Sequence, residues 1–272
     1  MGSSAGAFQR PRRRGGLAVS KLALFAMALA LLSALMLLAA GLGNRWGLWE
    51  YRMAFRLLGW AAWGGLAGGL LSLAAIIWAG LRRSRRGMLV ALVGLLAGTL
   101  AFGVQWQMRQ RAKEVPPIHD ITTDTDNPPR FVAVAALRRD TPAGVEYAGA
   151  KIAGQQKRAY ADIVPLALNL APADAFARCL GAARSLGWEI DAAVPEEGRI
   201  EATDTTMFFG FKDDIVVRIT RTAAGSRVDV RSASRVGRSD LGTNAKRVRA
   251  FLRAVAQENA QEKGSGSNYD PK

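Results

Sequence analysis

The residues best suited to chemistry are the cations crowding the last third of the chain. Between Ser226 and Arg253 stand Arg227, Arg231, Arg235, Arg238, Lys246, Arg247, Arg249 and Arg253, against the two acids Asp229 and Asp240. Period two puts Arg227 and Arg231 on one face of a strand, and Lys246, Arg249 and Arg253 share one stripe of a helix. Arg235 and Arg238 fall in the loop leading into that helix, where free N–H groups and the helix dipole favour an anion. Arg231, Arg235, Arg238, Lys246 and Arg249 are therefore the candidate anion-binding residues. The competing reading is a solvated face whose arginines pair with Asp204, Asp213, Asp214 and Asp229 across a sheet.

Catalytic patterns are weaker. Asp204, Asp214 or Asp240 could act as acid or base in a hydrolase working on envelope lipid or glycan. The sole histidine, His119, stands far in sequence from most serines and forms no evident Ser/His/Asp arrangement. With Asp120, Asp124 and Asp126 it makes a His/Asp group, but the glycine and distal glutamate of a calcium loop are missing, and so are further zinc ligands. No Gly-rich phosphate loop is present. No catalytic residue, metal site or cofactor is assigned. The single cysteine, Cys179, has no internal disulfide partner.

The elements that must position these residues begin with a helix from Pro172 to Gly187. Its apolar stripe is Phe176, Cys179, Leu180, Ala183 and Leu186, at the spacing of one buried face. Strands follow over 188–194 and Arg199–Thr205, around Met207–Phe211, over Ile215–Arg221 and over Arg227–Ser234, joined by short turns that imply antiparallel neighbours. Met207, Phe209 and Phe211 are expected in the core, with Phe208 on the other face. A last helix runs from Asp240 or Thr243 to about Gln257. This order predicts an α+β domain with an antiparallel meander and both helices on one face.

Three apolar runs free of charge, Leu22–Gly43, Leu57–Leu81 and Gly87–Val104, precede this domain. Each suffices to cross a hydrocarbon core of about 30 Å, which needs about 20 helical residues. Lys and Arg number nine before span one and between spans two and three, against three in the other loop, which places the N-terminus in the cytoplasm and the domain outside it. Trp46, Trp49, Trp60, Trp63, Trp78 and Trp106 lie near the expected headgroup depths. The basic start with a long first run reads as a retained signal anchor. Glycine pairs 64/68, 65/69 and 94/98 allow close helix packing, and the spans lack the buried charges of a pump or channel.

The net charge of +15 divides unevenly. Residues 1–116 hold 15 Lys and Arg against two acids, and residues 117–272 hold 22 against 20. The basic excess belongs to the membrane half, so no nucleic-acid partner is needed.

The stretch RIEATDTTMFFGFKDDIVVRI, followed by GSRVDVRSASRVGRSDLGTNAKRVRAFL, resembles the domain of unknown function 1499 family over about Ala171–Leu252. PPIHDITTDTDNPPRF upstream is similar to membrane-anchored members. The family's CPxxPNC segment is missing, so no thiol chemistry is carried over. The resemblance implies a domain boundary and no mechanism.

The expected organisation is a basic cytoplasmic tail (1–21), three transmembrane helices (22–108), an extended extracytoplasmic linker (109–160), the α+β domain (161–258) and a disordered tail (259–272). The expected setting is the cytoplasmic (inner) membrane of a bacterium, crossed several times. The domain is expected to bind an anionic ligand, a lipid headgroup or an envelope protein without catalysis. The alternatives are the hydrolase and a structural subunit of a membrane complex.

Overall fold

A computed structural model describes residues 19–265. The basic tail up to residue 18 and the end of the polar tail from residue 266 lie outside it. The chain divides after Met108 into two compact units.

The first unit is three helices, α1 (Lys21–Arg45), α2 (Tyr51–Leu81) and α3 (Arg85–Glu114), each long and apolar enough to cross a membrane. Ser20 caps α1 by accepting the Ala23 N–H. Phe25, Leu35, Trp63, Leu70, Leu89 and Leu96 point outward, while alanine, glycine and serine fill the contacts, as expected where lipid replaces water. A Cβ on Gly68 would lie 2.9 Å from the Ala30 nitrogen of α1, and one on Gly65 would lie 2.8 Å from Ala101 Cβ of α3. A Cβ on Gly98 would lie 2.7 Å from the backbone nitrogen of Gly69. The glycine spacing thus serves two different neighbours of α2.

The second unit is built on an antiparallel sheet of β1 (Asp120–Thr122), β2 (Leu166–Leu168), β3 (Glu189–Val194), β4 (Arg199–Thr205), β5 (Lys212–Thr222) and β6 (Gly225–Ser234). The order is β1-β6-β5-β4-β3, and β2 pairs with β6 on the same side as β1. One edge is therefore made of two short pieces, Asp120–Thr122 beside Arg231–Ala233 and Leu166–Leu168 beside Ser226–Val228. The outer side of β1 is closed by Gln156, whose amide accepts from Thr122 N–H and donates to Thr122 O at 2.6 Å.

Alternation gives the sheet two unlike faces. Ile200, Ala202, Ile215, Val217, Ile219, Val228 and Val230 face α6 (Pro172–Ser185) and α7 (Thr243–Ser265), and together they form the main core. Both helices lie on that one face. Trp188 stacks on Phe251 of α7 at 5.2 Å. The other face carries Glu201, Thr203, Asp214, Arg218, Asp229 and Arg231, with Val216 and Ala233 among them. Phe131, Val134 and Val145 of the segment after β1 cover it.

Three expectations need correction. Residues 117–160 are not an extended linker. They supply β1, α4 (Ala135–Arg138) and α5 (Ala150–Ala159), and Ile118, Ile121 and Tyr160 enter the core, so the sheet begins at Asp120 and not after residue 160. Met207–Phe211 is not a strand: it is the loop between β4 and β5, closed by Thr206 N–H to Phe211 O at 2.8 Å and turned at Gly210 with φ +69°. Helix α7 does not stop near Gln257 but runs to Ser265, into the segment expected to be disordered.

The rungs Asp120↔Ala233, Ala233↔Asp214 and Asp214↔Thr203 cross the sheet in one row. The end at which the chain enters from residue 118 thus also holds the β4–β5 loop and the β6–α7 loop. The β3–β4 and β5–β6 turns lie at the opposite end.

Candidate functional site

Each cation singled out by sequence has a definite place. Arg231 is nearly inaccessible (2% exposed) and grips Asp120 with two nitrogens, at 3.0 and 2.8 Å. It also donates to the carbonyls of Pro129 and Val145, with the ring of Phe131 at 4.6 Å. Arg235 binds Asp214 with Nε and Nη2, and this contact raises its already high pKa further. Arg249 clasps Asp162 at the surface and lowers that carboxyl's pKa. Arg238 and Lys246 are exposed. The five candidates therefore do not converge on one point.

Three further arginines are also paired within the domain. Arg227 and Arg218 share Asp229 and Asp124, at 2.8–3.1 Å. Arg247 of α7 reaches across the main core face to Asp204 and Asp213, at 2.7 and 2.8 Å. Asn244, Ser232 and Ser234 complete that polar cluster. The pairing across the sheet that sequence offered as the alternative is thus present for Asp204, Asp213, Asp214 and Asp229.

The sheet's second face holds the most concentrated charge. Arg138, 1% exposed, donates to Asp214 at 2.7 Å and to the carbonyls of Gly144, Ala233 and Ser234. Asp214, itself wholly buried, also meets Arg235 and the Thr203 hydroxyl. Glu201 is equally buried. Its carboxylate accepts three consecutive N–H groups, from Val132, Ala133 and Val134, and pairs with Arg199. A carboxylate held by successive backbone donors is the arrangement of an anion nest, here filled by the chain itself.

Sequence reasoning missed Arg138 and Glu201. Glu201 alternates outward from Ile200 and Ala202, so it reads as solvated. The available signal was the apolar run Phe131–Val134 inside the supposed linker, which requires a surface to cover.

The hydrolase reading needs carboxylates that converge, and these do not. Asp204 and Asp214 project from opposite faces of the sheet. Asp240 accepts from Gly242 N–H and Asn244 N–H at the start of α7, and its burial raises its pKa. Asp120 and Asp124 are bound by arginines, and Asp126 by Lys157. Among the described residues no three His, Cys, Asp or Glu side chains lie close enough together to hold a metal ion.

A cleft of about 690 Å³ lies between the 125–130 loop and the start of α5, bordered by Arg130, Tyr147, Gly149 and Lys157. The Tyr147 hydroxyl is buried there without a hydrogen-bond partner, and burial together with the nearby Asp120 charge pushes its pKa up to about 12. It is therefore a neutral donor at physiological pH, unsuited to act as a base.

Three helices long and apolar enough to cross a membrane, followed by an antiparallel sheet with helices on one face and a strap (residues 131–145) over the other, define the class as α+β. The chain belongs to the family described as protein of unknown function (DUF1499), whose family model matches residues 120–255. That match starts at β1, in agreement with the domain edge drawn by the sheet. No curated protein and no solved structure matches the chain.

Proposed function

We propose that this is a non-catalytic, membrane-anchored envelope protein whose domain binds anionic lipid headgroups through the end of the sheet at which the chain enters it. The carrying observation is where the exposed cations stand. Arg231 and Arg235 are neutralised internally, whereas Lys212, Arg238 and Lys246 are exposed at the end where the chain enters the domain. The last turn of α6 adds Arg184 there, against the exposed acid Glu189. Arg109, Arg111 and Lys113 follow the third span directly. Cations close to an anionic surface contribute about 1 kcal/mol each, so three to six make a useful but reversible contact.

In this reading the helices cross the inner membrane of a bacterium three times with the N-terminus inside, and the domain lies outside the cytoplasm. The support is the nine-to-three distribution of Lys and Arg.

The test uses the full chain in nanodiscs, with a fluorophore on Ser239→Cys in the β6–α7 loop. Cys179 is buried and is not labelled in the folded domain. Headgroup spin labels should quench the dye in discs with anionic lipid, and 1 M salt or K212E/R238E should relieve the quenching. Equal quenching in neutral and anionic discs would sink the reading.

A further inference from the structure

We infer that the β4–β5 loop enters the bilayer, with Met207 and Phe208 lodged at the boundary between headgroups and acyl chains. The inference takes the orientation of the domain from the headgroup reading above and adds an apolar contact to it.

The first observation is exposure where burial would be expected. Met207 is 88% exposed and Phe208 37%, although both belong to the apolar run Met207–Phe211. Phe209 stacks on Phe211 at 5.1 Å with the rings nearly parallel, and Phe208 meets Phe209 edge to face. Two aromatics thus form a base from which Met207 and Phe208 project.

The second observation is that the loop is preformed. Thr206 binds both ends of the turn: its N–H donates to Phe211 O, its carbonyl accepts from Gly210 N–H, and its hydroxyl accepts from Phe211 N–H. Gly210 takes the left-handed conformation that closes the turn. These pairings at the base of the turn fix its shape, so the loop meets the bilayer already ordered and loses little conformational freedom on contact.

The third observation is placement, and it selects lipid as the occupant. The loop lies at the same end of the sheet as Asp120, across three strand spacings at most, or about 14 Å. Residues 115–119 separate α3 from β1 and span at most about 18 Å when extended. The helix continues for six residues past Met108, about 9 Å. Chain length therefore limits Asp120 to about 27 Å from Met108 and the loop to about 41 Å. Lys212 borders the loop and Arg238 stands in the neighbouring one, so the apolar tip is rimmed by cations, the pattern of an interfacial anchor.

The experiment again uses the full chain in nanodiscs, with a polarity-sensitive dye on Met207→Cys and, as a control at the opposite end, on Glu196→Cys. Insertion predicts a blue-shifted emission at position 207 and its quenching by spin labels on the acyl chains, with neither at position 196. Changing Phe208 to Asp should remove the remaining apolar contact and lower both signals at 207 without unfolding the domain, since the side chain lies outside the core.

Quenching at 207 no greater than at 196 overturns the inference. If the Ser239 dye is still quenched by headgroup labels in that case, the headgroup reading survives alone. Quenching at 207 that is equal in neutral discs and insensitive to K212E/R238E supports insertion and removes the headgroup reading. A dye at 207 that is shielded from iodide yet untouched by acyl spin labels assigns the loop to a protein partner and overturns insertion.

Discussion

Replacing Arg138 with Met removes a guanidinium that bridges the strap to the sheet. Its Nη1 lies 2.7 Å from Asp214, and its other donors satisfy three backbone carbonyls, with both side chains out of contact with water. Breaking a buried pair from one side typically costs about 3–5 kcal/mol, because the remaining charge stays in a poorly solvating place. Arg235 still holds Asp214 with two nitrogens, which argues for the lower figure, about 3 kcal/mol. The core cysteine supplies the assay. Cys179 sits in α6 with no exposed surface, so a thiol reagent reaches it only when the domain opens. At 1.4 kcal/mol per tenfold, the labelling rate of the full chain should rise about a hundredfold. Arg235→Met, at a site that is partly open and leaves Arg138 in place, should raise it about tenfold. Combining Arg138→Met with Asp214→Leu should cost less than the two single changes added together, since no charge is then stranded. A labelling rate for Arg138→Met within threefold of the unmodified chain would refute the reasoning, because strap and sheet would then be opening independently.

Other outcomes can be checked separately. A reporter active only outside the cytoplasm should work when fused after Asn259, and one active only inside should work in the Arg82–Arg86 loop; the opposite pattern reverses the topology. Gly98→Leu should destabilise the helical unit in detergent melting, since any Cβ there meets the Gly69 backbone, whereas Gly69→Ala, whose Cβ would have its neighbours at 3.9–4.0 Å, should leave it unchanged. Asp240 has a raised pKa, so its proton is held more tightly in the folded than in the unfolded state, and its ionisation opposes folding as pH rises from about its ordinary value of 3.8. Asp240→Asn should therefore gain stability relative to the unmodified chain between acid and neutral pH, and a stability difference constant with pH would contradict the assignment.

The parts legible in the sequence were those set by period. The three apolar runs, the Phe176–Ala183 stripe and the inward Ile200, Ala202, Ile215 and Val217 follow from a simple alternation or repeat that the structure retains. The β1 piece was not legible, because three residues carry no period and its pairing with β6 is decided by partners far along the chain. Nor was the strap: one sheet face reads as polar, and polar faces usually meet solvent. Only the apolar Phe131 and Val134 hinted that something covers it. The apolar run at Met207–Phe211 misled in the other direction, because hydrophobicity alone does not distinguish a buried strand from an exposed turn, and Gly210 was the single residue marking the turn.

The long pairing between the start and end of the domain also constrains its birth. Asp120 and Arg231 are partners 111 positions apart in the chain. At about 5–20 residues per second, the ribosome needs about 6–22 seconds between making one and making the other. During that interval β1 and the strap have left the ribosome but have no strand to join: Asp120 waits for Arg231, Arg138 for Asp214, and the N–H groups of Val132, Ala133 and Val134 for Glu201. Hairpins β3–β4 and β4–β5 have short loops and form early, whereas the β1–β6 edge closes last. The segment that emerges first is therefore the one most exposed to proteases and chaperones while the chain is being made.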